Sequence, residues 1–175
     1  MRIQLDKSLQ GRILDVGGGG EGVIGRVYGR QVIAIDNCQE ELDEMPDVCE
    51  KVLMDATSMS FQEGEFDHVT AFYAMMYMTR EEQRKAIREA ARVLKPGGEM
   101  HIWDAVIRCA HPDPFVVELD IDAYGTAIHT TYGVVKMDSQ DAELLIGMGQ
   151  EAGLTLTKRA MDGDQFCLRF RKDAH

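Results

Sequence analysis

The glycines that follow an apolar run near the start of the chain have the clearest chemical potential. The run Ile13–Val16 leads into Gly17–Gly22, in which only Glu21 is not glycine, and a segment able to form a helix begins at Val23. A strand, a glycine turn and a helix in this order are typical of the first unit of an α/β nucleotide-binding domain. Glycine permits a tight turn and lets backbone N–H groups approach a ligand closely. We therefore expect an adenosine-bearing ligand on this loop.

Two acids stand at the ends of the next two predicted strands. Asp36 ends Gln31–Asp36, about twenty positions after the first glycine, where α/β folds hold ribose hydroxyls. A carboxylate there can accept two hydrogen bonds from a diol; the alternative is that it caps the helix Glu40–Met45. Asp55 follows the short strand Lys51–Met54 and could accept a hydrogen bond from an adenine amine. Its alternative role is that of a turn-forming residue.

A fourth strand, His68–Tyr73, leads into the cluster Met75–Tyr77. Open α/β sheets bind ligands beyond the carboxyl ends of their strands, so these side chains either line a pocket or fill the core. Tyr77, His111 and His129 are the side chains that could act as a general base, but nothing in the pattern selects one of them. We assign no catalytic residue from the sequence.

The elements that must position these residues alternate between strands and helices. Thr79 and Glu82 form a capping box at the start of a helix that runs to Leu94. The segment Lys95–Gly98 is expected to stop that helix before a fifth strand, Met100–Val106. This order predicts a three-layer α/β/α sandwich around a mostly parallel sheet of seven strands.

The end of the chain closes that sheet. A final helix over Ser139–Ala152 is expected to be capped by Asp138 or Ser139. Two strands, Leu154–Met161 and Gln165–Arg171, are joined by a turn typical of a hairpin. One strand of this hairpin must run antiparallel to the rest of the sheet.

An insert over residues about 108–136 interrupts the alternation after the fifth strand. Val117, Leu119 and Ile121 alternate with acids, and a second extended piece, Ala127–Val135, follows a glycine. This pattern predicts an inserted β-hairpin. We interpret it as a lid or as a dimerisation element, and so as a candidate contact of a homodimer, without a catalytic residue.

Composition limits the partners. A chain of 175 residues is expected to form one domain, and its net charge of −11 argues against nucleic acid and anionic membranes. We expect no signal peptide, and we find no apolar span of membrane length in the sequence. The four cysteines form no C-x-x-C pair, which suits a cytoplasmic protein. The five histidines share no metal-ligand spacing, so we expect no metal.

Taken in order, these segments resemble the class I, Rossmann-like S-adenosylmethionine-dependent methyltransferases. The likeness extends over nearly the whole chain from Ile13. It rests on the glycine loop, on the strand ending at Asp36, on Met54–Ala56, on Phe66–Val69, and most specifically on Ala91–Gly98 before a strand. The resemblance implies S-adenosylmethionine as the cofactor and methyl transfer as the reaction. Such transfer is a displacement at a sulfonium-bound carbon, so alignment matters more than a catalytic side chain.

The resemblance also implies roles for individual residues. The glycine loop would lie under the methionine and ribose parts of the cofactor, the second-strand acid would hold the ribose, and the acid after strand three would meet the adenine. Residues after strand four would line the methionine and substrate side. By position these cofactor-binding residues are Asp15, Gly17, Gly18, Gly19, Gly20, Asp36, Asn37, Asp55, Ala56, Phe72 and Tyr73.

The chain departs from the family pattern in two places. Glu21 stands where the family has its third glycine and glycine follows at Gly22, so either the loop is one residue longer or Glu21 points outward. From the given sequence we also expect none of the N-terminal helices that cover the cofactor in many relatives. Part of that cover must come from the insert, from a partner subunit or from solvent.

Two other functions are compatible with parts of the pattern. The loop satisfies the dinucleotide fingerprint, which would indicate an NAD-dependent oxidoreductase. A protein that binds S-adenosylmethionine without turnover is the second alternative. Among methyltransferases, the Asn/Asp-Pro-Pro-Tyr box of enzymes that act on nucleobase amino groups is absent after strand four. Together with the acidic charge, this favours a small-molecule acceptor.

Overall fold

A computed structural model describes residues 2–108 and 112–174. The elements in chain order are β1 (Arg2–Leu5), β2 (Ile13–Val16), α1 (Val23–Tyr28), β3 (Val32–Asp36), α2 (Gln39–Glu44), β4 (Glu50–Leu53), β5 (Phe66–Phe72), α3 (Arg80–Val93), β6 (Leu94–Ala105), β7 (Phe115–Ala123), β8 (Thr126–Val134), α4 (Ala142–Glu151), β9 (Leu154–Asp162) and β10 (Gln165–Lys172).

Seven of these strands form the main sheet in the order β4-β3-β2-β5-β6-β10-β9. The first five are parallel to one another, and β10 runs antiparallel to both of its neighbours. The central strand β2 is buried at every position, which is the usual state of a strand covered on both faces. The predicted seven-stranded sheet with one antiparallel strand is confirmed.

Apolar layers cover both faces of this sheet. On one face, α3 and α4 enclose a core that includes Phe66, Ile87, Leu145 and Phe170. On the other face a second core surrounds Ile24 of α1. The predicted three-layer α/β/α sandwich is therefore confirmed, and it brings the carboxyl ends of the parallel strands to one edge.

The insert forms the predicted hairpin, β7 paired with β8, and it belongs to a second sheet. β1 lies parallel to β7, which gives a three-stranded sheet in the order β1-β7-β8. Leu5, Leu119 and Ile121 from this sheet are buried in the same core as α1. The insert thus pairs with β1, which is far from it in sequence, and packs against the core around α1. The hairpin therefore packs on its own chain.

Two local expectations were wrong. The helix α3 stops at Val93 as predicted, but the next strand, β6, begins at Leu94 instead of Met100, and its pairing with β5 starts at Phe66 and shifts register before His68. The cap of α4 is Asp141, whose side chain accepts a hydrogen bond from the Leu144 backbone, rather than Asp138 or Ser139. The capping box of α3 formed as predicted.

None of the described helices combines the length and the apolar character that a membrane crossing requires.

Candidate functional site

A cleft of about 770 Å³ opens at the edge of the sheet where β2, β3 and β5 end. Its walls come from the glycine loop, from the segments after β3 and β4, from the segment after β5, and from β8 of the insert. Open α/β sheets bind ligands at this edge, and the volume is within the range of small-molecule sites. The predicted residues on its walls are Gly17, Gly19, Gly20, Asp36, Asn37, Asp55, Ala56, Phe72 and Tyr73.

Backbone hydrogen bonds within the chain hold the glycine loop. The N–H groups of Gly17 and Gly18 both donate to the carbonyl of Ile35, at 2.9 and 3.1 Å, and the N–H of Gly20 donates to the carbonyl of Glu41 at 2.8 Å. These donors are therefore already used before any ligand binds. A pyrophosphate, which needs several free N–H groups at such a loop, would find few of them here.

Close packing explains why these positions are glycine. A Cβ atom on Gly17 would lie 2.6 Å from the Cβ of Ala74, and one on Gly19 would lie 2.6 Å from the Cβ of Glu41. Both distances are shorter than atoms of these types tolerate. The loop thus passes directly against the segments after β3 and β5.

Glu21 is accommodated through the insert. The backbone of the loop is left-handed at Gly20 and Gly22, with φ of 61° and 58°. Glu21, which lies between them, does not have a positive φ. The Glu21 carboxylate accepts hydrogen bonds from the hydroxyls of Thr130 and, at 3.0 Å, Tyr132. The loop therefore extends to Gly22, and the side chain faces the hairpin instead of pointing outward.

Asp36 lies on the wall of the cleft with both carboxylate oxygens in use. Oδ1 accepts a hydrogen bond from the Cys38 N–H at 2.9 Å, and Oδ2 accepts a longer one from the Gly19 N–H at 3.3 Å. Cys38 rather than Asp36 is the N-cap residue of α2. Asp36 therefore links the glycine loop to the turn before α2 while facing the cleft.

Asp55 also faces the cleft, and it shapes its own turn. Its Oδ1 accepts hydrogen bonds from both the N–H and the hydroxyl of Thr57, each at 2.8 Å. This is the turn role that the sequence offered as an alternative. The second oxygen, Oδ2, takes no part in these contacts, so a role toward a ligand is compatible with the turn.

Asp15 and Gly18 lie behind the loop, next to a small cavity of about 20 Å³, and not on the walls of the main cleft. Asp15 is buried and accepts a hydrogen bond from the Thr70 hydroxyl at 2.7 Å. Burial raises the pKa of its carboxyl to about 7. A Cβ on Gly18 would lie 2.6 Å from Asp15 Oδ2, so these two residues support the loop from below.

Aromatic rings form the wall beyond β5. Tyr73 packs against Phe72 and against Tyr132 of the insert, with ring centroids 5.1 and 5.5 Å apart. Its hydroxyl hydrogen-bonds to Gln165, and its φ of 51° is rare for a residue other than glycine. Tyr132 was not anticipated from the sequence, because only the folded insert brings β8 to the cleft.

The cluster after β5 divides between two environments. Met75 and Met76 are fully buried in the two cores, whereas the side chain of Tyr77 lies on the cleft wall. Of the two alternatives that the sequence left open, the methionines therefore fill the core and Tyr77 lines the pocket. His129 lies on the outer hairpin as an exposed partner of Asp120, with Nδ1 and Oδ1 2.8 Å apart, and is not on the cleft wall. His111 lies outside the described residues.

The cleft is strongly acidic. One side chain on its wall, Arg26, is cationic, and this guanidinium donates to the backbone carbonyl of Glu21 at 2.7 Å. Burial and the neighbouring carboxylates raise the pKa of Glu41. Such a wall favours a ligand with positive charge over a dinucleotide. The acids on the wall are Glu21, Asp36, Glu41, Glu44, Asp55 and Glu82.

Comparison with known proteins places this arrangement in one class. Over 98% of its length the chain superposes on all of an S-adenosylmethionine-dependent methyltransferase structure from Methanosarcina mazei, with a TM-score of 0.66 at 17% identity. At that identity the likeness defines the fold alone: the Rossmann-like methyltransferase fold.

A family model described as a methyltransferase domain matches residues 14–102. The chain therefore belongs to the class I S-adenosylmethionine-dependent methyltransferase domains.

Two curated relatives are similar in sequence. The 27-O-demethylrifamycin SV methyltransferase of Amycolatopsis mediterranei is 30% identical over 155 residues, which are 82% of this chain and 53% of the relative. A methyltransferase of Streptomyces halstedii is 30% identical over 117 residues, which are 60% of this chain and 41% of the relative. The chain thus spans about half the length of these relatives or less.

Proposed function

We propose that this chain binds S-adenosylmethionine in the acidic cleft and transfers its methyl group to a small-molecule acceptor. The observation that carries the proposal is the acidic wall at the carboxyl ends of β2, β3 and β5. S-adenosylmethionine has two positive charges, on its sulfonium and its ammonium group, and one negative charge, on its carboxylate. It is therefore a net cation. A dinucleotide carries a pyrophosphate, which the carboxylates of Glu21, Asp36 and Glu41 would repel.

The family roles assign the parts of the cofactor to the cleft. Asp36 and Asn37 take the ribose end, and Asp55 with Ala56 takes the adenine. Gly17, Gly19 and Gly20 lie under the methionine and ribose portions, with Phe72 and Tyr73 on the methionine and substrate side. Asp15 and Gly18 act indirectly, because they support the loop from behind. Support comes from the shared cleft that these residues line or buttress.

Methyl transfer makes modest demands on the protein. The acceptor atom attacks the methyl carbon, the bond to sulfur breaks, and the sulfur leaves as a neutral thioether. The site must align the acceptor atom with the methyl carbon and exclude water. A general base is needed only when the acceptor must lose a proton early. Tyr77 faces the cleft, but burial raises the pKa of its phenol, so it is a poor base at neutral pH.

The acceptor is small and carries no net negative charge. It shares a cleft of about 770 Å³ with the cofactor, and an anionic acceptor would meet the same carboxylates as a dinucleotide. Nucleic acid is disfavoured by the net charge of −11. The name of the Amycolatopsis relative describes a small-molecule acceptor, which agrees with this proposal.

The insert serves as part of the cover over the cofactor. Tyr132 and Thr131 line the cleft, and Glu21 fastens β8 to the glycine loop. This supports the lid interpretation over a homodimer through the same hairpin. We infer that the chain works as one domain in a reducing, cytoplasmic environment, where Cys38, Cys49 and Cys167 stay free thiols.

Ligand-induced thermal stabilisation tests the cofactor. S-adenosylmethionine at one hundred times its dissociation constant should add about 2.7 kcal/mol to the free energy of unfolding, and NAD should add nothing. Asp36→Ala should lose most of this shift, whereas Asp43→Ala, which removes an acid of α2 outside the cleft wall, should keep it.

Stabilisation by NAD alone would contradict the assignment, and an unchanged shift in Asp36→Ala would limit Asp36 to holding its turn. Turnover is measured separately with isotope-labelled cofactor and a panel of small acceptors. Tight binding with no transfer to any acceptor would favour the non-catalytic alternative.

A further inference from the structure

Parallel pairing of β5 and β6 brings two histidines and a glutamate together away from the cleft. His68 lies opposite Glu99 in the register, and His101 follows Glu99 by two positions on the same face of β6. Their ligand atoms all lie within 4.8 Å of one another. None of the three lines the cleft, which opens beyond the carboxyl end of β5.

Within the described part of the chain, two nitrogens of this cluster are buried without a hydrogen-bond partner, His68 Nδ1 and His101 Nε2. The His101 side chain is only 2% exposed. Buried polar atoms are normally paired, so unpaired ones at the same place require an explanation. A cation bound between the lone pairs would satisfy both.

The distances suit a transition metal. His101 Nε2 lies 3.5 Å from Glu99 Oε2. Two ligands at zinc bond lengths and a tetrahedral angle are separated by about 3.4 Å. The stacked rings of His101 and Trp103, with centroids 5.8 Å apart, hold the imidazole in this orientation.

Two arginines of β10 face the cluster. Arg171 Nη2 pairs with Glu99 Oε1 at 3.1 Å, which leaves Oε2 directed toward His101. Arg169 lies opposite His101 in the register. Their positive charges oppose a dication, so only an ion that bonds strongly to imidazole can bind, which excludes Mg²⁺ and Ca²⁺.

We propose that His68, Glu99 and His101 bind one zinc-class divalent ion that clamps β5 to β6, with water in the fourth position. The ion would join the two strands, and the proposal is independent of the cofactor and of methyl transfer. Three protein ligands with an open fourth position are a known zinc arrangement.

Metal titration of the untagged, metal-free protein tests this site. Co²⁺ should bind with 1:1 stoichiometry and give the visible absorption of a tetrahedral complex, and Zn²⁺ should displace it. His101→Asn, Glu99→Gln and His68→Asn should each weaken Zn²⁺ binding at least about tenfold in calorimetry. His129→Asn is the matched control, because His129 and Asp120 form an exposed His–carboxylate pair.

Circular dichroism establishes that each variant is folded. If His101→Asn does not fold, Glu99→Gln and His68→Asn, at positions that are less buried, still decide the question. The proposal is overturned if the wild type binds no Zn²⁺, if these variants bind as tightly as the wild type, or if His129→Asn is the change that abolishes binding.

Discussion

At the scale of single residues, the buried Asp15 carboxyl couples the glycine loop to pH. Its pKa is raised from 3.8 to about 7, chiefly by burial, with a smaller contribution from Asp36, while the Thr70 hydroxyl partly offsets the shift. The folded protein therefore holds a proton that the unfolded chain releases at lower pH. Stability must fall as pH rises between these two values.

We expect Asp15→Asn to remove the part of this pH dependence that Asp15 causes. Between pH 4 and pH 8 the wild type should lose up to about 4 kcal/mol more unfolding free energy than the variant. Urea unfolding at both pH values measures the difference. Burial also raises the pKa of Asp104, to about 6, but that group is present in both proteins and cancels in the comparison. Equal slopes for the two proteins would show that Asp15 stays ionised when folded.

At the scale of elements, α4 contains two glycines with opposite constraints. A Cβ on Gly147 would meet nothing within 4 Å, whereas one on Gly149 would lie 2.5 Å from the Phe170 ring. Gly149 thus permits the close approach of α4 to β10, and Gly147 only adds backbone freedom to the unfolded chain. The sequence, in which both are glycines of one helix, does not distinguish them.

Alanine substitutions separate the two glycines. Gly147→Ala should stabilise the protein by about 0.5–1 kcal/mol, since alanine is the better helix former and has room. Gly149→Ala should destabilise it by about 1–3 kcal/mol, because Phe170 must move. Thermal or urea unfolding gives both values. A stable Gly149→Ala variant would contradict the close packing of α4 on Phe170.

At the scale of the whole molecule, charge and topology act together on the cofactor. The chain carries a net charge of −11, and the crossover order of the sheet gathers six carboxylates around one cleft. This concentration creates a negative potential at the binding site. It should distinguish ligands that differ by one charge.

S-adenosylmethionine and S-adenosylhomocysteine supply such a pair, because loss of the methyl group removes the sulfonium charge. Raising ionic strength from about 0.01 M to about 1 M shortens the screening length from ~30 to ~3 Å. We expect the affinity for S-adenosylmethionine to fall several-fold more than that for S-adenosylhomocysteine, measured by calorimetry. Equal salt dependence of the two ligands would show that the cleft acids do not act on the sulfonium.

The sequence by itself determined the order of elements, the parallel sheet with its closing hairpin, and the cleft acids Asp36 and Asp55. These follow from local signals: buried apolar strands, the glycine turn, and the capping box at Thr79. Each of these signals depends on a few neighbouring residues. They can therefore be recognised in the sequence without knowing which strands pair.

Only the tertiary structure decided how distant residues meet. It turned Glu21 toward Thr130 and Tyr132, paired β1 with β7, buried Met75 and Met76 while leaving Tyr77 on the cleft, and set His68 beside Glu99 and His101. The physical reason is that strand pairing and register join residues tens of positions apart, and a local pattern does not specify which face or partner each will have.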